Sequence, residues 1–179
     1  MVSIAAISNW VRIFDMNGGE KPSSFGINVG SPISDFIVSN SRDFVAVSSE
    51  DNVLRIWSLK DNEAPKFELK FDSRINSLNH VRGSNLILAG CASGRIFIIN
   101  QEEGVFTDHL KMQGNGPCID ISTNGFGHIA AIFKTSNGSY SAAFELSTGR
   151  VITGELNNGT LVSEIEFTNN GTHLSLIHI

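Results

Sequence analysis

The sequence has few cysteines that could cross-link the chain by disulfides, and it has no long apolar stretch that could anchor it in a membrane. Cysteine occurs twice and proline four times among 179 residues. No stretch reaches the roughly 18 consecutive apolar residues of a membrane-spanning helix, and the start, MVSIAAISNWVRIF, lacks a basic segment followed by a long apolar run. We therefore expect neither a membrane span nor a signal peptide, and we expect a cytoplasmic or nuclear location. Cys91 and Cys118 lie in apolar stretches and are expected to be structural thiols in a reducing compartment.

Basic residues are also scarce. The chain carries 13 Lys and Arg against 18 Asp and Glu, which gives a formal net charge of -5. A protein that neutralises phosphates needs a basic stripe, and none is visible. The charge balance therefore argues against nucleic acid as the main partner.

Strand-forming and turn-forming residues dominate what is present. Val, Ile, Thr, Phe, Tyr and Trp sum to 54, whereas Ala, Leu, Glu, Lys, Gln and Met sum to 43. Ser, Asn and Gly make up 56 residues, which suits many tight turns. The composition predicts an all-β fold with short connections. It gives an architecture and a type of function, but no substrate.

Four segments repeat the same order of strands and turns, the clearest being ISDFIVSNSRDFVAVSSEDNVLRIWSL from Ile33 to Leu59. Two sets of equivalent positions measure the period. The first-strand set, spaced 42, 41 and 46 residues apart, is Phe36, Leu78, Ile119 and Ile165. The closing-strand set, spaced 43, 42 and 45 residues apart, is Phe14, Trp57, Ile99 and Phe144.

This period, together with the tract SSEDNVLRIWSL, resembles the WD40 repeat, a unit of about 40 to 45 residues that forms one four-stranded propeller blade. The dipeptide that names the family is degenerate here, since Trp57 is followed by Ser58 and Phe14 by Asp15. Asp51 lies six residues before Trp57, where the family carries an acidic residue that ties down the turn. The resemblance implies a β-propeller that assembles protein complexes and has no chemistry of its own.

The repeats predict a single incomplete propeller, a fragment of about four four-stranded antiparallel blades. A partial blade covers residues 1–30, full blades cover 31–72, 73–114 and 115–159, and a second partial blade covers 160–179. Propellers usually have four to eight blades in a closed ring, and an open arc leaves long unpaired strand edges. We therefore expect a piece of a longer propeller. Closure by self-association of two arcs is the alternative.

The last six residues, LSLIHI, carry a separate expectation. They match the translation of a common sequencing adapter, CTG TCT CTT ATA CAC ATC, so residues 174–179 are expected to be artefactual. The alternative is a genuine second strand of the last partial blade, because THLSLIHI alternates between apolar and polar residues.

No catalytic or metal-binding constellation stands out, so we expect no cofactor and no enzyme activity. The five histidines are scattered, and His80 is interpreted as a hydrogen-bonded residue of an inner strand, at the place of Val38, Ile121 and Phe167 in the other copies. Three Asn-Gly-Ser/Thr tripeptides are interpreted as hairpin turns rather than glycosylation sites, at Asn137, Asn158 and Asn170. Three arginines are expected on solvated or salt-bridged faces of the closing strands. They are Arg12, Arg55 and Arg95.

The main functional hypothesis is a non-enzymatic scaffold whose loops bind other proteins or peptides. By analogy with the family, the binding residues lie in the loops before each first strand and in the turns between second and third strands. They are Gly30, Ser31, Glu50, Asp51, Asn52, Asp72, Ser73, Arg74, Ser93 and Asn115. Arg74 and Trp10 are the preferred anchors, because Arg and Trp are enriched at interface hot spots. For Trp10, packing within a blade is an equal alternative.

The rival hypothesis is an enzymatic or carbohydrate-binding propeller with a site at the central channel. It requires carboxylates or histidines to recur at the starts of the inner strands. Those starts are instead apolar, at Ile33, Ile75 and Val162, and polarity is added only by Asp35, Ser77 and Glu164. We therefore favour the scaffold.

Overall fold

The computed structural model describes residues 2–15, 23–61, 63–111, 116–152, 156–157, 162–168 and 171–178. Within these ranges every regular element is a β-strand, and none is a helix long and apolar enough to cross a membrane. The all-β class predicted from composition is thus confirmed.

The strands form five antiparallel sheets that follow one another along the chain. The first sheet contains β1 (Val2–Ile7), β2 (Trp10–Asp15) and β3 (Ser23–Asn28). The second contains β4 (Ile33–Val38), β5 (Phe44–Ser49), β6 (Val53–Ser58) and β7 (Phe67–Lys70). The third contains β8 (Ile75–His80), β9 (Leu86–Cys91), β10 (Arg95–Asn100) and β11 (Val105–Lys111). The fourth contains β12 (Cys118–Thr123), β13 (His128–Thr135), β14 (Gly138–Glu145) and β15 (Leu156–Asn157), and the fifth pairs β16 (Val162–Phe167) with β17 (Leu174–His178).

The sheets stack face to face, and the middle strands show why. Strand β5 reads FVAVSS and is buried along its whole length. Val45 and Val47 pack with Val11 of the first sheet, whereas Ala46 on the opposite face packs with Leu78 of the third. A strand covered on both faces needs a continuous apolar run instead of an alternating one. The fold is therefore a stack of antiparallel blades of the propeller type, as predicted.

The first strands of the second to fifth sheets, β4, β8, β12 and β16, are called the inner strands here. Each contains a bulge after its first residue, for example between Cys118 and Asp120. Counted from this bulge, the equivalents of Phe36 and Leu78 are Ile121 and Ile165. The assignment of Ile119 to this set was wrong by two residues.

Two related assignments change as well. His80 ends its inner strand, as do Val38, Thr123 and Phe167, so Ile121 is not its equivalent. Arg95 opens β10 at the place of Trp10 in β2, whereas the place of Arg12 and Arg55 is taken by Phe97. In the closing-strand set, Trp57, Ile99 and Phe144 all occupy the next-to-last place of their strands.

The segment 174–178 forms β17 and pairs in register with β16, from Phe167 opposite Leu174 to Val162 opposite His178. This pairing is the one expected if the segment is a genuine second strand of the last partial blade. An alternating segment of any origin can adopt it, so the adapter origin of residues 174–179 stays a prediction that sequencing of the transcript would check.

Candidate functional site

One edge of the stacked sheets collects the loops that the sequence singled out. We call this edge the loop face and define it as connections 29–32 and 71–74 together with turns 8–9, 50–52 and 92–94. Backbone hydrogen bonds join each connection to the neighbouring turn: Ile33 N–H donates to Ser8 O at 2.8 Å, Glu50 N–H to Pro32 O at 2.8 Å, and Ala92 N–H to Arg74 O at 2.7 Å. The loops are therefore held to the strands.

The turn between β5 and β6 is fixed by Asp51. Its carboxylate accepts hydrogen bonds from Ser49 Oγ at 2.6 Å, Arg55 Nη2 at 2.7 Å and the Val53 amide at 3.2 Å. Burial acts to raise the pKa of Asp51, but the bonds from Arg55 and Ser49 outweigh it and the pKa is lowered. Asp51 thus stays ionised and holds the turn in one conformation.

Side chains of the loop face also connect neighbouring sheets. Arg74, before the third sheet, lies 3.4 Å from the carboxylate of Glu50 in the second, and both side chains are about half exposed. The connection 71–74 is also linked to the third sheet, because Ser73 Oγ donates to Ser93 Oγ at 3.0 Å and Asp72 forms an ion pair with Arg95. The structure therefore places most of the predicted residues in one polar patch.

The remaining predicted residues lie at the margin of this patch or beyond it. Gly30 is held in the left-handed region (φ 81°) by an N–H bond to Asn28 Oδ1, and Ser31 follows it. The indole of Trp10 covers Gly26, where an added Cβ would lie 3.3 Å from the ring, and Trp10 is 43% exposed. It thus packs within its own sheet as well as facing solvent. Asn115 lies outside the described residues.

A row of side-chain hydrogen bonds between inner strands was missed by the sequence analysis. Asp35 Oδ2 accepts the Leu78 amide at 2.7 Å, Ser77 Oγ accepts the Ile121 amide at 3.2 Å, and Asp120 Oδ2 accepts the Ile165 amide at 2.8 Å. In each case the third residue of one inner strand holds the fourth residue of the next. A polar third residue in every inner strand was the available signal.

This row bears on the enzymatic rival. Carboxylates do recur near the starts of the inner strands, at Asp35, Asp120 and Glu164, and Asp120 is a polar position that the sequence-based prediction did not include. Asp35 and Asp120 are, however, engaged by backbone amides of their own and the neighbouring strands. Among the described residues, no three His, Cys, Asp or Glu side chains are grouped to hold a metal.

The two inner carboxyls predict a pH dependence of stability. Burial raises the pKa of Asp35 and of Asp120 above the ordinary 3.8. The folded chain then holds these protons to higher pH than the unfolded chain, so their contribution to the free energy of unfolding falls as pH rises from 3.8 through the raised pKa. In urea unfolding from about pH 3.5 to pH 7, we expect Asp35→Asn to gain stability relative to the unmodified protein as pH rises.

Asp51→Asn is the matched control, because the pKa of Asp51 is lowered. Its stabilisation is present above 3.8 and is lost as pH falls through the lowered pKa. The Asp51 variant should therefore lose stability relative to the unmodified protein as pH rises. Parallel behaviour of the two variants would contradict the assignment.

Both cysteines are buried thiols, as expected of structural cysteines, and burial raises the pKa of Cys118. Asn137 lies in the exposed turn between β13 and β14, with its amide bonded to Thr135 Oγ1. Asn158 and Asn170 lie outside the described residues.

Comparison with known proteins supports the fold. No protein-family model matches the chain, and no curated protein does. A chain of the crystal structure of the mitotic checkpoint complex is similar, with a TM-score of 0.77 and 15% identity over 99% of this chain. This chain spans 55% of the length of that one. At such identity the likeness shows a WD40-like propeller fold and nothing finer.

Proposed function

We propose that this chain is a non-enzymatic scaffold that binds other proteins or peptides through its loop face, in the cytoplasm or nucleus. The observation that carries the proposal is the link between Arg74 and Glu50, which joins the loops of two sheets and leaves both charged groups about half exposed. Rigid frames that present polar loops suit recognition, since little ordering entropy is lost on binding. The structurally similar chain comes from a protein complex, which agrees with this role.

Replacement of Arg74 tests the proposal. We expect Arg74→Glu to remove the pair with Glu50 and to repel acidic partner groups, lowering recovery of bound proteins about tenfold, or ~1.4 kcal/mol. The measurement is quantitative affinity purification of the complete tagged protein from its own cells.

Arg150→Glu is the matched control. Arg150 is an exposed arginine that pairs with Glu145 after β14 of the fourth sheet, away from the loop face. It undergoes the same charge change and should leave recovery unchanged. Equal losses in both variants, or no loss with Arg74→Glu, would refute binding through the loop face.

A further inference from the structure

The edge opposite the loop face contains a cleft of about 350 Å³ between the second and third sheets. One wall comes from the second sheet, with Asp43, Ser58, Lys60 and Lys66. The other wall comes from the third sheet, with Ser84, Asn85, Gln101 and Glu102. The cleft is wide enough for a few side chains of an extended segment.

The floor of the cleft is rigid. The rings of Phe44 and His80 meet edge to face with 5.3 Å between centroids, and His80 Nε2 lies 3.0 Å from Ser84 O. Burial lowers the pKa of His80, although its bond to Ser84 acts in the opposite direction. The ring is therefore neutral near pH 7, and the charges of the cleft come from its walls.

Those wall charges are not used within the fold. On the loop face, by contrast, the carboxylates of Glu50, Asp51 and Asp72 all form ion pairs with arginines. Lys60, Lys66, Asp43 and Glu102 form no ion pair with any side chain in the part of the chain that the structure describes. Lys66 makes a cation–π contact instead, with its Nζ 5.1 Å from the centroid of the Phe67 ring.

Neutral donors and acceptors complete the walls. Ser58 Oγ accepts the amides of Lys60 and Asp61, at 3.2 and 3.4 Å, and its own proton can be donated into the cleft. On the opposite wall, Gln101 Nε2 donates to Asn85 Oδ1 at 3.5 Å, and the remaining oxygen of Gln101 and nitrogen of Asn85 add an acceptor and a donor to the cleft. A ligand with only one sign of charge would satisfy half of these groups, whereas a peptide with both signs and a polar backbone matches all of them.

We propose that this cleft binds an extended peptide segment of a partner protein that carries an acidic and a basic side chain close together. The acidic side chain pairs with Lys60 and Lys66, and the basic one with Glu102 on the facing wall. The peptide backbone bonds to Ser58, Asn85 and Gln101. This second binding site lies on the edge opposite the loop face and is independent of it.

The test uses a phage-displayed library of random octapeptides against the complete protein. We expect enriched peptides to carry an acidic and a basic residue within three positions of each other. Their affinity should fall at least tenfold in Lys60→Glu/Lys66→Glu and stay unchanged in Arg74→Glu. Circular dichroism melting of each variant confirms that it is folded.

A charge exchange makes the test stricter. Lys66→Glu/Glu102→Lys swaps the charges of the two walls, so it should recover binding of a peptide whose acidic and basic residues are likewise exchanged. Enriched peptides of one charge sign, or peptides that respond to Arg74→Glu but not to the lysine variants, would overturn the proposal. The loop-face proposal would survive either of those results, because it depends on Arg74.

Discussion

Phe133→Ala is expected to lower the free energy of unfolding by about 3–5 kcal/mol, because it removes a large side chain from a close-packed core. Phe133 is fully buried in the cluster between the third and fourth sheets. Its ring stacks on Tyr140 with 5.1 Å between centroids and 18° between planes. The truncation therefore loses an aromatic contact as well as apolar burial.

Urea unfolding followed by tryptophan fluorescence and by circular dichroism measures this effect. Phe126→Ala is the matched control, since Phe126 is 77% exposed at a turn and loses little burial on truncation. We expect its free energy of unfolding to change by less than about 0.5 kcal/mol. Similar losses for the two phenylalanines would show that the third and fourth sheets do not pack as described.

The second large effect is expected at Asp120, which links three inner strands. Its carboxylate accepts a hydrogen bond from Ser77 Oγ at 3.0 Å on one side and from the Ile165 amide at 2.8 Å on the other. Asp120→Ala leaves the Ile165 amide without this acceptor and Ser77 without this bond, at a cost of about 1–3 kcal/mol. Burial raises the pKa of Asp120, which means that the buried charged carboxylate is unfavourable. Its removal therefore offsets part of that loss.

Hydrogen exchange locates the effect. In Asp120→Ala we expect faster exchange of the Ile121 and Ile165 amides and unchanged exchange of Leu78, which Asp35 holds. Asp120→Asn should recover part of the stability, because it keeps one acceptor oxygen. Glu166→Ala, at an exposed position of β16, should change neither stability nor exchange. Uniformly faster exchange in Asp120→Ala would argue against a local link between inner strands.

How far the fold can be predicted from sequence depends on how local each signal is. The tract FVAVSS predicts a strand covered on both faces, and the structure buries all six of its residues. The closing-strand set, from Trp57 to Phe144, rests on a large apolar residue before a turn in each copy, and the structure places these residues next to last in their strands. These signals lie within single hairpins.

The register of the inner strands shows where local signals fail. Ile119 and Ile121 are both apolar and only two residues apart, so periodicity cannot decide which one is equivalent to Leu78. The bulge between Cys118 and Asp120 breaks the two-residue alternation, so Ile121 and not Ile119 is equivalent to Leu78. Ile121 then packs in the core between the third and fourth sheets, and Ile119 packs toward the fifth.

The candidate sites divide in the same way. The all-β class, the blade period and the set of loops at one edge can be predicted from turn residues and apolar spacing along the chain. The three-dimensional structure was needed to show that Arg74 pairs with Glu50, that Asp120 bridges Ser77 and Ile165, and that Lys60 and Lys66 face Glu102 across a cleft. Each of these depends on the relative placement of two sheets. That placement is set by packing between their faces, and neither segment carries a periodic sequence pattern from which it could be predicted.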